Sequence, residues 1–259
     1  SGASPHMTIL RLKDQKVTSP YPGVSQRNPA GVETGATQIR VFDALIQPGA
    51  SIPYHAHGNT EATYFVLDGD IAAIVDDHRV ELHSGDLVMA PPGTGHGFTN
   101  SGKQEARVVT MFPHTDPDVS HFDPGEPAGG DLPPYIVPRA NVEAWTPWER
   151  CTRYDMMNHE RGALSTAFSQ LDFEPGSMAP PHFHPETEEA MYCIEGEFMA
   201  MYNGEEIPLR PGDMFVAEAG VRHTVFNASK ELAVLLPLHP TVVPVRELVD
   251  WSPTTRMPA

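Results

Sequence analysis

Hydrophobic residues in this chain fall in short runs bounded by proline and glycine, never in long stretches. The runs "ATYFVLDGD" (62–70), "DLVMAPPG" (86–93) and "ARVVTMF" (106–112) return later as "AMYCIEGEF" (190–198), "DMFVAEAG" (213–220) and "LAVLLPL" (232–238). Segments this short, rich in Val, Ile, Phe and Tyr and punctuated by turn residues, predict many β-strands joined by tight turns. The 27 prolines suit a turn-rich β protein and would break helices. The expected class is all-β, with two tandem antiparallel barrels of jelly-roll type and little helix.

Two barrels are expected because the chain repeats itself at a constant offset of 127 positions. His55 and His182, His57 and His184, Gly69 and Gly196, Gly85 and Gly212, Gly93 and Gly220, His96 and His223, and Asn100 and Asn227 are all separated by that interval. Pro48-Gly49 and Pro175-Gly176 carry the match upstream, so 48–100 maps onto 175–227 without an insertion. Residues 1–7 have no apolar or amphipathic pattern and read as an expression scar ahead of a start at Met7. An N-terminal barrel is then expected over 8–112 and a C-terminal barrel over 149–259. The Pro-, Gly- and Asp-rich stretch 113–148 reads as an irregular linker, packed on the barrels through Phe122, Tyr135, Ile136, Trp145 and Trp148.

Charge and cysteine content narrow the function classes. A formal net charge of −17 argues against nucleic acid or an anionic membrane as partner, since both need clustered Lys and Arg. No stretch approaches the roughly 18–20 apolar residues of a membrane span, so a cytoplasmic protein is expected. Cys151 and Cys193 form neither a dense disulfide framework nor a C-x-x-C pair and read as reduced structural thiols.

Histidine spacing supplies the candidate chemistry. Side chains two apart on a strand share a face, so His55 with His57, and His182 with His184, point the same way. A third histidine follows about forty positions later, after a glycine turn: His96 in "APPGTGHGFTN" and His223 in "AEAGVRHTVFN". Three imidazoles and a carboxylate inside a barrel suit one divalent ion, Fe, Mn, Ni, Co or Zn, with coordination positions left open.

At these residues the chain resembles the cupin superfamily, whose motifs are G-x5-H-x-H-x3,4-E-x6-G and G-x5-P-x-G-x2-H-x3-N. The first copy supplies Gly49, His55, His57 and Gly69, then Gly85, Pro91, Gly93, His96 and Asn100; the second supplies Gly176, His182, His184, Glu189 and Gly196, then Gly212, Gly220, His223 and Asn227. The resemblance implies a bicupin holding one or two divalent metal ions. Glu189 stands at the family spacing for the metal carboxylate, but the same offset lands on Ala62 in the first copy. Glu61 is one residue out of phase there, which leaves two readings: a ligand reached through a bulge, or a site of three histidines alone. Glu218 replaces Pro91 and reads as a turn residue or a pocket carboxylate. His78, His83, His114, His121, His159 and His239 receive no role.

Strand parity puts Tyr64 and Phe98 on the inner wall of the first barrel, and Met191, Cys193 and Val225 on that of the second. Such walls favour a small organic or aromatic substrate. Among bicupins the resemblance is broadest to quercetinase-like dioxygenases. It implies a metal-bound enolic or flavonol-like substrate, dioxygen as co-substrate, and Glu189 as ligand and catalytic base. The alternatives are a decarboxylase, isomerase or aminohydrolase without net oxidation, with Arg40, Arg107 and Arg222 as candidate carboxylate holders, and a non-catalytic binding protein stapled by its metal. Pairing of barrels through edge strands makes a homodimer the expected assembly.

Overall fold

The computed structural model describes residues 8–250 apart from residue 203; the expected expression scar at 1–7 lies outside the described residues. Four antiparallel sheets build two barrels, and the helical content of the described residues is four single 3-10 turns. In the first barrel a seven-stranded sheet runs in the order Ile136–Val137, Leu87–Ala90, Ala62–Asp68, Ala106–Phe112, Arg40–Ile46, Val24–Ala30 and Val17–Tyr21. Across from it lies a five-stranded sheet of Ser120–His121, Ser51–Ala56, His96–Asn100, Ile71–Val75 and His78–Leu82. The second barrel repeats the arrangement. Its large sheet is Thr8–Leu10, Met214–Ala217, Glu189–Glu195, Ala233–His239, Ala167–Phe173, Cys151–Met157 and Ala144–Trp145, and its small sheet is Glu205–Leu209, Phe198–Tyr202, His223–Phe226, His182–Phe183 and Glu247–Leu248.

Both faces of each large sheet are buried, which explains runs that are apolar throughout instead of alternating with polar residues. Along Ala62–Asp68, Ala62, Tyr64 and Val66 point into the first barrel, while Phe65 and Leu67 point toward the second. Along Glu189–Glu195, Met191 and Cys193 point inward, while Ala190, Tyr192 and Ile194 point toward the first barrel. One hydrophobic cluster therefore joins the barrels, with Phe65 and Phe168 packed ring to ring at 5.4 Å. Burying each such phenylalanine contributes about 2 kcal/mol.

The stretch 113–148 is mostly irregular, yet it supplies strands to both barrels, and the repeat runs straight through it. Ile136 pairs with Val88 of the first barrel, and Ile9, 127 positions earlier, pairs with Phe215 of the second. Each copy thus lends its first strand to the other barrel, and Thr8–Leu10 belongs by hydrogen bonding to the C-terminal barrel. Ser120–His121 and Glu247–Leu248, again 127 apart, close the two small sheets.

Two repeated residues hold the loops beside the sites. Asn100 donates to the carbonyls of Ile46 and Gln104, and Asn227 donates to those of Phe173 and Glu231. Gly69 and Gly196 sit at φ +89° and +71°, and a Cβ on either would lie 2.7 Å from that of Ala106 or Ala233. Only glycine meets both constraints.

Candidate metal centres

Each barrel gathers three histidines between its two sheets. His182 and His223 are directly opposed cross-strand partners in the small sheet, as are His55 and His96 in the first barrel. His184 and His57 follow two residues after the first histidine of each set. In the second barrel Glu189 reaches them from the large sheet, and the ligand atoms of His182, His184, Glu189 and His223 all lie within 4.8 Å of one another. Those of His55, His57 and His96 do the same.

The tautomers of these rings follow from their outer hydrogen bonds. A carbonyl oxygen only accepts, so each Nδ1 that meets one carries the proton. His182 donates to Pro180 at 2.7 Å, His184 to Val245 at 2.6 Å and His223 to Val221 at 2.9 Å. His55 donates to Pro53 at 2.8 Å, His96 to Thr94 at 2.9 Å and His57 to Asp118. In a neutral ring Nε2 is then a bare lone pair, and the Nε2 atoms point inward.

In the second barrel these lone pairs face an anion. Glu189 Oε2 lies 3.0 Å from Nε2 of His184 and of His223, and 3.6 Å from that of His182. Burial opposes ionisation of Glu189, but His239 and the hydrogen bonds that His182, His184 and His223 donate when Nε2 carries a proton more than offset it and hold the carboxyl well below its ordinary range. Burial also lowers His223, while His184 is raised because Glu189 outweighs its burial. Lone pairs converging on a carboxylate need a cation between them, and a divalent metal fits this donor set of three nitrogens and one oxygen. The three Nδ1 hydrogen bonds fix ring orientation, as the outer partners of metal-bound histidines do.

A cavity of about 260 Å³ opens over this group. Met191 and Val225 line it together with Trp145, Trp148 and Leu235, and Arg153 and Arg246 add positive charge. Cys193, expected on this wall, is packed into the barrel core beside Phe198 and Phe215 and does not reach the cavity. Glu218 also lies outside the lining. Arg40 is held by Glu33 and Arg107 by Asp43, so neither is available to a ligand, and Arg222 is exposed outside the cavity.

His239, given no role from sequence, is a correction. It is buried, it lines the cavity, and its Nε2 lies 3.4 Å from Glu189 Oε1. Burial pushes its pKa down to about 3, so the ring is neutral, and its buried Nδ1 has no hydrogen-bond partner among the described residues. The signal lay in strand parity, since Leu235, Pro237 and His239 alternate along one strand and all face the cavity. The 127 offset hid it, because the equivalent residue is Phe112.

Glu61 is a second correction. Strand parity holds at this end, where Ala62 to Phe65 pair without a register shift, so the side chain points between the barrels and accepts the backbone N–H groups of Leu164 at 2.9 Å and Ser165 at 2.7 Å. Glu188 does the equivalent, accepting from Thr37, Gln38 and Ile39. Neither carboxylate belongs to a metal centre.

The place of the carboxylate in the first barrel is taken by Tyr64. Its hydroxyl lies 2.8 Å from His96 Nε2, 3.4 Å from His55 Nε2 and 3.5 Å from His57 Nε2. Tyr64 and Phe98 were expected to face a substrate; they pack on each other with ring centroids 4.4 Å apart, and Phe112 closes on His57 at 4.8 Å. Burial pushes His55 down to about 4 and His96 well below its ordinary value. Those rings are neutral and ready to donate. The first site is a packed one, and the second opens on a cavity.

Comparison with known proteins agrees with this architecture. A family model described as a cupin domain matches residues 42–112 and again 169–239, more than half of the chain. The chain is similar to quercetin 2,3-dioxygenase of Bacillus subtilis, 22% identical over 241 residues that span 73% of this chain and 70% of that protein. Among solved structures it is similar to an oxalate decarboxylase of Lactobacillus farciminis in a formate complex, with a TM-score of 0.81 at 15% identity over 96% of this chain and 90% of that one. It is also similar to Bacillus subtilis oxalate decarboxylase, studied for its Mn(II) centres, with a TM-score of 0.79 at 16% identity over 96% of this chain and 81% of that one. At these identities the structural likeness speaks for the fold.

Proposed function

Because the chain belongs to the cupin family, with one cupin domain in each half, we propose that it is a metal-dependent enzyme whose second barrel is a dioxygenase centre. The substrate class is an enolic, flavonol-like or aromatic small molecule that approaches the centre through an oxygen atom. The observation that carries this reading is the cavity itself, an apolar-walled space opening directly on His182, His184, Glu189 and His223. His182, His184, Glu189 and His223 would hold a divalent metal ion, which would supply Lewis acidity and, if redox-active, oxygen chemistry.

The remaining work falls to the chain. Trp145, Trp148, Met191, Val225 and Leu235 form a wall that orients a flat apolar body and excludes water from the reacting oxygen. Glu189, a buried carboxylate lining the cavity, is the group placed to accept the substrate hydroxyl proton. His239 stands against the second oxygen of Glu189, its Nε2 3.4 Å away, and limits how that carboxylate can turn. Similarity to a quercetin dioxygenase over most of both chains supports the oxygen chemistry.

A decarboxylase acting on a small carboxylate is the second reading, favoured by one observation: Arg153 and Arg246 both line the cavity. Arg153 is already committed to Asp155 at 2.7 Å and to Ser169 at 2.9 Å, which leaves Arg246 to hold a substrate carboxylate. An oxygen electrode separates the two readings on metal-loaded protein with flavonols, 1,3-dicarbonyls and small dicarboxylates. Oxygen uptake with the enolic compounds is expected. Anaerobic release of carbon dioxide from a dicarboxylate, without oxygen uptake from any compound, would replace the first reading by the second.

A further inference from the structure

We propose that Tyr64 is the fourth metal ligand of the first barrel, giving that barrel a closed metal site of three imidazole nitrogens and one phenol oxygen. The proposal concerns the first barrel alone and stands apart from the oxygen chemistry of the second.

Ligand separations carry the argument. For metal bonds of about 2.0–2.1 Å, two ligand atoms on one ion sit about 3.3 Å apart in a tetrahedral site and about 2.9 Å apart at right angles in an octahedral one. The Tyr64 hydroxyl stands 2.8, 3.4 and 3.5 Å from Nε2 of His96, His55 and His57. Glu189 Oε2 stands 3.0, 3.0 and 3.6 Å from its own three Nε2 atoms. The phenol oxygen is thus placed against its imidazoles as the carboxylate oxygen is against its set.

The sequence makes the exchange possible. Ala62 occupies the position of Glu189 and leaves the inner face empty, while Tyr64, two residues further along the same face, has a side chain long enough to reach back. Hydrogen bonding alone leaves the site unbalanced. One hydroxyl proton can serve only one of three inward lone pairs, and its closest partner is His96. The other two lone pairs lie in buried, aromatic surroundings, where an unmatched acceptor costs free energy. Among the described residues, the hydrogen-bond contacts of the Tyr64 hydroxyl are these three imidazoles. A four-coordinate ion in a packed site has the character of a structural centre.

The test uses the full chain carrying His184→Ala and His223→Ala, which disable the second site, loaded with ferric iron or with zinc. One iron per chain is expected, with a visible charge-transfer absorption from the phenol oxygen to iron(III). Tyr64→Phe in that background should abolish the band and weaken zinc binding at least about tenfold, and His96→Ala should abolish the band as well. Resonance Raman of the ferric protein with Tyr64 intact reads the coordinated phenol ring directly and does not depend on how well Tyr64→Phe folds. Iron bound at one per chain without the band or the ring modes would overturn the proposal. So would zinc affinity unchanged in Tyr64→Phe, or no metal retained while Tyr64 is present.

Discussion

The carboxylate of Glu188 accepts the backbone N–H of Ile39 at 2.8 Å across the seam between the barrels, and Glu61 returns the same service to Leu164 and Ser165 from the other side. These two glutamates fasten each barrel to a loop of its neighbour. Glu188→Ala leaves the N–H groups of Thr37, Gln38 and Ile39 without their acceptor. It should cost about 3 kcal/mol, or roughly 6–12 °C in Tm, with metal content unchanged. A loss of bound metal without a fall in Tm would assign Glu188 to the metal site instead.

His239 differs from its counterpart Phe112, and the barrel that carries it is the one proposed to do the chemistry. His239→Phe removes the partner of Glu189 Oε1 while keeping a ring of similar size. Metal content should stay at the wild-type level, and turnover should fall about ten- to a hundredfold, mostly in kcat. Wild-type kcat in the variant would show that His239 only fills space.

Metal removal is expected to destabilise the protein, because both centres leave inward lone pairs unmatched without an ion. A site saturated at a hundred times its Kd adds about 2.7 kcal/mol, so stripping one site should lower Tm by roughly 5–10 °C. Differential scanning before and after chelation, with metal content measured alongside, checks this. An unchanged Tm on fully stripped protein would contradict it.

Burial pushes the thiols of Cys151 and Cys193 up to about 12. Their folded pKa lies above the unfolded value, so the stability they contribute is full below pH 9 and is lost as pH rises from 9 toward 12. At pH 8 the native protein should react with a thiol reagent only on unfolding, when both cysteines become available. Rapid labelling of the native protein would show that these thiols are accessible.

Much of this was legible in the chain because the repeat is nearly free of insertions and strand parity is strict. The pairing of His182 with His184, the third histidine after a glycine turn, and the missing carboxylate at Ala62 all follow from counting. Parity also decides Glu61: a position one residue away from Ala62, where the register is unbroken from Ala62 to Phe65, has to face the other barrel. What counting missed came from side-chain reach and from the other half of the molecule. Tyr64 reaches the three histidines because its ring spans two residues of strand, which spacing of glutamates does not reveal. His239 lacks a repeat partner, and its proximity to Glu189 arises from strand pairing, with Ala190 set against Leu238. The exchanged arms at Ile9 and Ile136 are too short to carry a pattern, and their pairing is decided by the far sheet edge they meet.

The second barrel as the working centre is tested most directly by oxygen uptake on the enolic substrate panel, comparing metal-loaded wild type with His223→Ala and His57→Ala. His223→Ala should abolish uptake, while His57→Ala, in the packed first site, should retain most of it per folded molecule. Uptake that survives in His223→Ala and disappears in His57→Ala would rule out the second barrel as the working centre and move the chemistry to the first.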